Sequence, residues 1–142
     1  MKKRGFQPDF LRATFGPLLL NKTSRWDGDI HKAVKLWCSD PAAAEQKYGH
    51  MSKWDVSRVT NMSELFRDEA DFNEDISAWD TSNVSNMENM FSYARAFNKP
   101  ISGWDMSNVE DTWGMLCGAS SSNEPINAWD VSNAEDILEH LR

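Results

Sequence analysis

Four tryptophans, Trp54, Trp79, Trp104 and Trp129, stand 25 residues apart without a slip, and each is followed by an aspartate: Asp55, Asp80, Asp105 and Asp130. Ser57, Ser82, Ser107 and Ser132 keep the same register. So do Met51, Ile76, Ile101 and Ile126, three residues before each tryptophan. Several columns holding one period mean that a single structural unit is stacked on its own copies. A unit this short cannot bury its apolar face alone, so the stack itself must supply the core.

Two local patterns lie inside each unit. Val56, Thr81, Met106 and Val131 sit two residues after each tryptophan, a spacing of two that fits a strand with one face inward. Further on, Val84, Met87, Met90, Phe91 and Ala94 fall at spacings of three and four, which is a helical stripe. Ser85-x-x-Glu88 reads as a capping box for that helix. The expected fold is therefore an α/β repeat solenoid. It would be a leucine-rich-repeat-like, right-handed stack of about four strand-helix coils over residues 51–142. Residues 29–50 read as a helical cap for the first coil, with Asp29 and Asp40 as caps, Pro41 at a first helical position and Gly49 as a stop.

Charge divides the chain. Residues 1–53 carry ten Lys or Arg against five Asp or Glu, and residues 54–142 carry five against seventeen. The net charge of −7 argues against a nucleic-acid partner, because phosphate contacts need clustered basic side chains. Residues 1–28 read as a basic arm. It is a poor secretory signal, since Arg12 and Pro17 interrupt its apolar stretch, and it has the basic, acid-poor cast of an organelle transit segment. No apolar run is long enough to span a membrane. The two cysteines, Cys38 and Cys117, form no disulfide framework and no zinc spacing.

The run WDTSNVSNMENMFSYARAFNKPISGWDMSNVED resembles the repeat of the BspA-like, DUF285 bacterial-surface-protein family, over about residues 50–136. The segment DIHKAVKLWCSDPAAAEQKYGHMSKWDVS is similar to the leader before such repeats in microalgal members. The resemblance implies a leucine-rich-repeat-like fold, a protein-interaction or adhesion role at a surface, and no catalytic residues. Trp113, Cys117, Ser122 and Ala134 depart from the repeat pattern.

The aspartate column invites a calcium reading, which the absence of a glycine-rich calcium-binding repeat opposes. An Asx turn aimed at the serine two residues on is the plainer expectation. Asn73, Asn98 and Asn123 read as an amide ladder that satisfies turn backbone. Glu64, Asp68, Glu69, Asp71, Glu74 and Asp75 form an acidic patch: a solvated face, or a seat for a basic partner or weakly held divalent ions. Lys53, Ala78, Gly103 and Ala128, beside the expected strand, form a candidate binding face for a protein partner. With three histidines and no GxSxG, P-loop, GxGxxG or HExxH motif, an enzyme is not expected. The functional expectation is a protein-interaction module. Its rivals are a subunit docked into a larger complex through the basic arm, end-to-end assembly included, and a calcium-dependent surface protein.

Overall fold

The computed structural model describes residues 21–123 and Trp129. The arm before residue 21, Asp130, Ala128 and most of the fourth unit lie outside the described residues. Two helices precede the repeats: α1, Ile30–Ser39, and α2, Pro41–Tyr48. Asp40 accepts a hydrogen bond from Ala43 N at 3.1 Å, and Pro41 opens α2 with φ already set for a helix. Gly49, with φ of 80°, ends it. A single 3-10 turn, Met51–Lys53, leads into the first unit. Ile30, Ala33, Val34 and Trp37 turn the buried face of α1 onto that unit, and Trp37 meets Trp54 edge-on at 6.2 Å.

The α/β expectation fails at this point. Among the described residues there is no β-strand and no sheet, and the repeats hold no helix: α1 and α2 are the only α-helices. Two isolated parallel bridges, Asn61 to Asn86 and Asn86 to Asp111, are all that joins the repeats in strand fashion. The chain is not a leucine-rich-repeat-like stack of strand-helix coils. The units are irregular loops built from successive tight turns.

Backbone dihedrals give the reason. Glu64, Asn89 and Gly114 share one column and have φ of 59°, 54° and 66°. Asp68, Tyr93 and Gly118 share another, at 64°, 60° and 73°. A left-handed residue every four positions stops an α-helix from propagating. The apolar spacing of three and four survives because short turns replace the helix. Met90 N bonds Met87 O, Ser92 N bonds Asn89 O and Ala94 N bonds Phe91 O. Ser85 and Glu88 form no capping box. Glu88 N donates to Asn86 Oδ1 at 2.9 Å, and Ser85 Oγ donates to Thr60 O.

Every second peptide stands along the stack. The N–H groups of Met62, Glu64, Phe66 and Asp68 donate to the carbonyls of Asn86, Glu88, Met90 and Ser92, each at 2.8 Å. Met87, Asn89, Phe91 and Tyr93 donate to Asp111, Trp113, Met115 and Cys117 at 2.7–2.9 Å. Asn86 C=O and Met87 N–H belong to one peptide group, so the bonds run in line through three units. Four such files are aligned, all with N–H toward the C-terminal side. Their dipoles add as they do along a helix.

Side chains complete the stack. Trp54 and Trp79 lie 6.2 Å apart and near parallel. Phe66 stacks on Phe91 at 5.3 Å, Phe72 on Phe97 at 5.7 Å, and within each of the first two units the two phenylalanines pair at 4.0 and 4.2 Å. The valine, methionine and isoleucine columns between them are fully buried.

Candidate functional site

The repeat tryptophans are buried donors. Trp54, Trp79, Trp104 and Trp129 are each under a tenth exposed. Their Nε1 atoms donate to the carbonyls of Gly49, Met51, Ile76 and Ile101 at 2.9–3.2 Å. Each indole thus ties its unit to backbone of the preceding segment. The aspartates face their own turns. Asp55 Oδ1 accepts from Ser57 N at 3.0 Å and Ser57 Oγ at 2.6 Å, Asp105 does the same with Ser107, and Asp80 accepts from Ser82 N. The Ser57 hydroxyl and amide hold the Asp55 carboxyl below its ordinary range, and Ser107 does so for Asp105. Asn73 Oδ1 accepts from Asn98 N at 2.8 Å, which joins those two positions across units. Asn83 and Asn108 reach back to Ser57 O and Ser82 O.

Lys53, Ala78 and Gly103 are all exposed, and Gly103 has nothing within 4 Å of where a Cβ would stand. None of them lines the cavity that opens where the helical cap and the first unit part. That cavity, of about 450 Å³, lies between Trp37, Cys38 and Pro41 on one side and residues 68–74 on the other. Trp37 and Phe72 are nearly buried and form its apolar floor. Asp68, Glu69, Asp71 and Glu74 line it, and no Lys or Arg does. Arg67 sits near the rim, 3.0 Å from Glu64 and 3.8 Å from Asp68, and His50 Nε2 lies 3.9 Å from Glu74.

The groove is poorly equipped for covalent chemistry. Burial, with the Glu69 charge and hydrogen bond beside it, pushes the Cys38 thiol up to about 12, so the sulfur stays protonated. His31 Nε2 is committed to Ser63 O at 2.7 Å, and His50 Nδ1 to Ser52. Among the described residues, no group of three or more His, Cys, Asp or Glu side chains is placed to hold a metal ion, and no helix is long and apolar enough to cross a membrane.

The acids are not required by the loop they occupy. The repeat offers its own comparison: positions 68–74 read DEADFNE, while 93–99 read YARAFNK and 118–124 read GASSSNE. Asn73 recurs as Asn98 and Asn123, and Phe72 as Phe97, while Asp68, Glu69 and Asp71 have no acidic counterpart in either later stretch and Glu74 becomes Lys99 and then Glu124. The acidic run was legible in the sequence; the wall opposite it, contributed by Trp37, Cys38 and Pro41, carries no sequence signal.

Sequence reasoning also passed over three residues that hold the first unit, two before the cap and His31 within α1. Asp27, in an additional Trp-Asp pair set 28 residues before Trp54 and so out of register, bonds the first unit. Arg25 and His31 contact the same unit. The comparisons with known proteins give one match: a family model described as "Mycoplasma protein of unknown function, DUF285" covers residues 39–141. No curated protein and no solved structure shows a match to the chain.

Proposed function

Because the chain belongs to the DUF285 family, whose description assigns no activity, we propose a function from the site itself: a non-catalytic protein-interaction module that takes a lysine- or arginine-rich segment of a partner in the acidic groove. One observation carries this reading. Four carboxylates line a concavity with an apolar floor and no basic lining residue, and three of them, Asp68, Glu69 and Asp71, have no acidic counterpart in the sister units. A cationic side chain in the groove gains Coulomb attraction in a partly desolvated setting and lays its alkyl stem on apolar surface.

The test is fluorescence anisotropy of a fluorescein-labelled octalysine peptide with the full chain at low salt. Neutralising the groove (Glu69→Gln, Asp71→Asn and Glu74→Gln together) is expected to weaken binding at least tenfold, about 1.4 kcal/mol. A charge-matched control (Asp80→Asn, Glu88→Gln and Glu110→Gln) should weaken it less than threefold. Equal losses in both would mean that the peptide follows net charge alone, and the groove reading would fall. A thermal melt of each variant confirms that the fold is retained.

A further inference from the structure

The segment 22–27 lies where a preceding repeat would lie, and it satisfies the exposed edge of the first unit piece by piece. Asp55 N donates to Thr23 O, and Arg25 N donates to Asp55 O, both at 2.8 Å. In the later units two backbone N–H groups converge on one carbonyl of the unit before: Ser85 N and Asn86 N on Thr60 O, Glu110 N and Asp111 N on Ser85 O. The first unit has no such neighbour. Asp27 Oδ1 takes the carbonyl's part, accepting from Thr60 N at 2.8 Å and Asn61 N at 3.1 Å, while Oδ2 accepts from Thr60 Oγ1 at 2.6 Å. Between these contacts the Arg25 guanidinium lies 4.2 Å from the Tyr48 ring centroid and 5.5 Å from that of Trp54.

This edge has three recognition elements in fixed order: a backbone donor and acceptor, an aromatic seat for a guanidinium, and a cluster of donors for a carboxylate. The segment now filling it satisfies the guanidinium only in part. Arg25 is 3% exposed; its Nη1 is paired with Asp29 Oδ2 at 2.8 Å and its Nη2 donates to Lys22 O, while Nε makes no hydrogen bond. A buried donor left without a bond opposes the gain from the ring contacts. The edge residues Tyr48, Trp54, Asp55 and Thr60 fall inside the family-matched region, and the segment on them falls before it.

We propose that the edge of the first unit is a docking site for an extended segment of a partner protein carrying arginine and, two residues later, a carboxylate. Residues 22–27 occupy it as an exchangeable stand-in. The site is separate from the acidic groove and does not depend on it: an octalysine peptide has no carboxylate side chain for the Thr60 and Asn61 donors.

The probe is a fluorescein-labelled peptide of the strap's own sequence, NKTSRWDG, titrated into the full chain and into its Arg25→Ala variant. Expected is binding at least tenfold tighter to the variant, whose own strap is weakened, and a tenfold loss when the peptide carries Arg25→Ala or Asp27→Asn. A peptide that binds no better than its altered versions, or not at all, overturns the proposal. Self-association of the wild-type chain by strap exchange, seen in sedimentation, would replace the partner by a second copy and overturn the proposal as stated. Should the Arg25→Ala chain not fold, amide exchange of the wild type decides. Arg25 and Asp55 N–H groups exchanging at least a hundredfold faster than those of Phe66 and Phe91 support an edge that opens locally. Exchange at the same rate means that it opens only on global unfolding, and the proposal fails.

Discussion

Each repeat tryptophan is a stacked ring and a buried donor at once, and the two roles separate on substitution. Trp79→Phe keeps most of the apolar area and loses the bond to Met51 O. It is expected to cost about 1–3 kcal/mol, against less than about 0.5 kcal/mol for Trp113→Phe at an exposed position, both read from thermal melts. The aspartates make a different prediction. Because Ser57 holds Asp55 ionised below its ordinary range, Ser57→Ala should raise the Asp55 value in an NMR titration. The linkage sign follows from the direction. A depressed folded value contributes stability above the unfolded value of about 3.9, and that contribution disappears as the pH falls through the folded one. Wild type should therefore lose more stability than Ser57→Ala on acidification below about pH 4. At this scale the sequence is readable: the tryptophan column and the Asp-Ser turn recur in fixed register, and repetition exposes both. The indole bond across 28 residues is hidden, because nothing in the order of residues names its acceptor.

The repeat unit shows how far periodicity can mislead. Met87, Met90, Phe91 and Ala94 are all buried, as a helical stripe would be, yet their backbone is a chain of turns. The decisive signal was present only in the third unit, where Gly114 and Gly118 occupy the two left-handed columns. The first two units put Glu64, Asp68, Asn89 and Tyr93 there; Glu and Tyr do not advertise positive φ, and Asp and Asn, though enriched in that region, occur far more often outside it. Gly118→Ala should be costly, since a Cβ would stand 2.5 Å from the Tyr93 ring in addition to the left-handed strain. A loss of more than about 1 kcal/mol in a denaturant melt is expected. In the opposite direction, Glu64→Gly relieves strain at an exposed turn and should stabilise by up to about 1 kcal/mol; a measured loss would mean that the Arg67 ion pair outweighs the strain. The strand expectation failed for a related reason. A spacing of two around tryptophan aims side chains inward, but the backbone there closes local turns, Trp79 N on Ile76 O and Val84 N on Thr81 O, in place of a strand ladder.

At the scale of the whole molecule the aligned amides give the stack a negative end facing the cap and a positive end facing away. His31 meets the negative end. A carbonyl only accepts, so Nε2 carries the proton it donates to Ser63 O. His31→Leu should cost about 1 kcal/mol in a thermal melt, and His31→Gln less, because an amide can still donate. The sequence pointed to a cap over the first unit but not to the residues that make these contacts. Asp27 and His31 belong to no repeating column, and the groove needs α1 and residues 68–74 side by side. The four amide files also govern how chains of this kind can change in length. A one-residue insertion between Met87 and Tyr93 would put the donors that follow it in that run out of line with their carbonyls. Adding one whole unit of 25 residues merely lengthens each file by a link. Descent within such an architecture therefore proceeds by duplication and loss of complete units, much as a gear rack can be extended only by whole teeth.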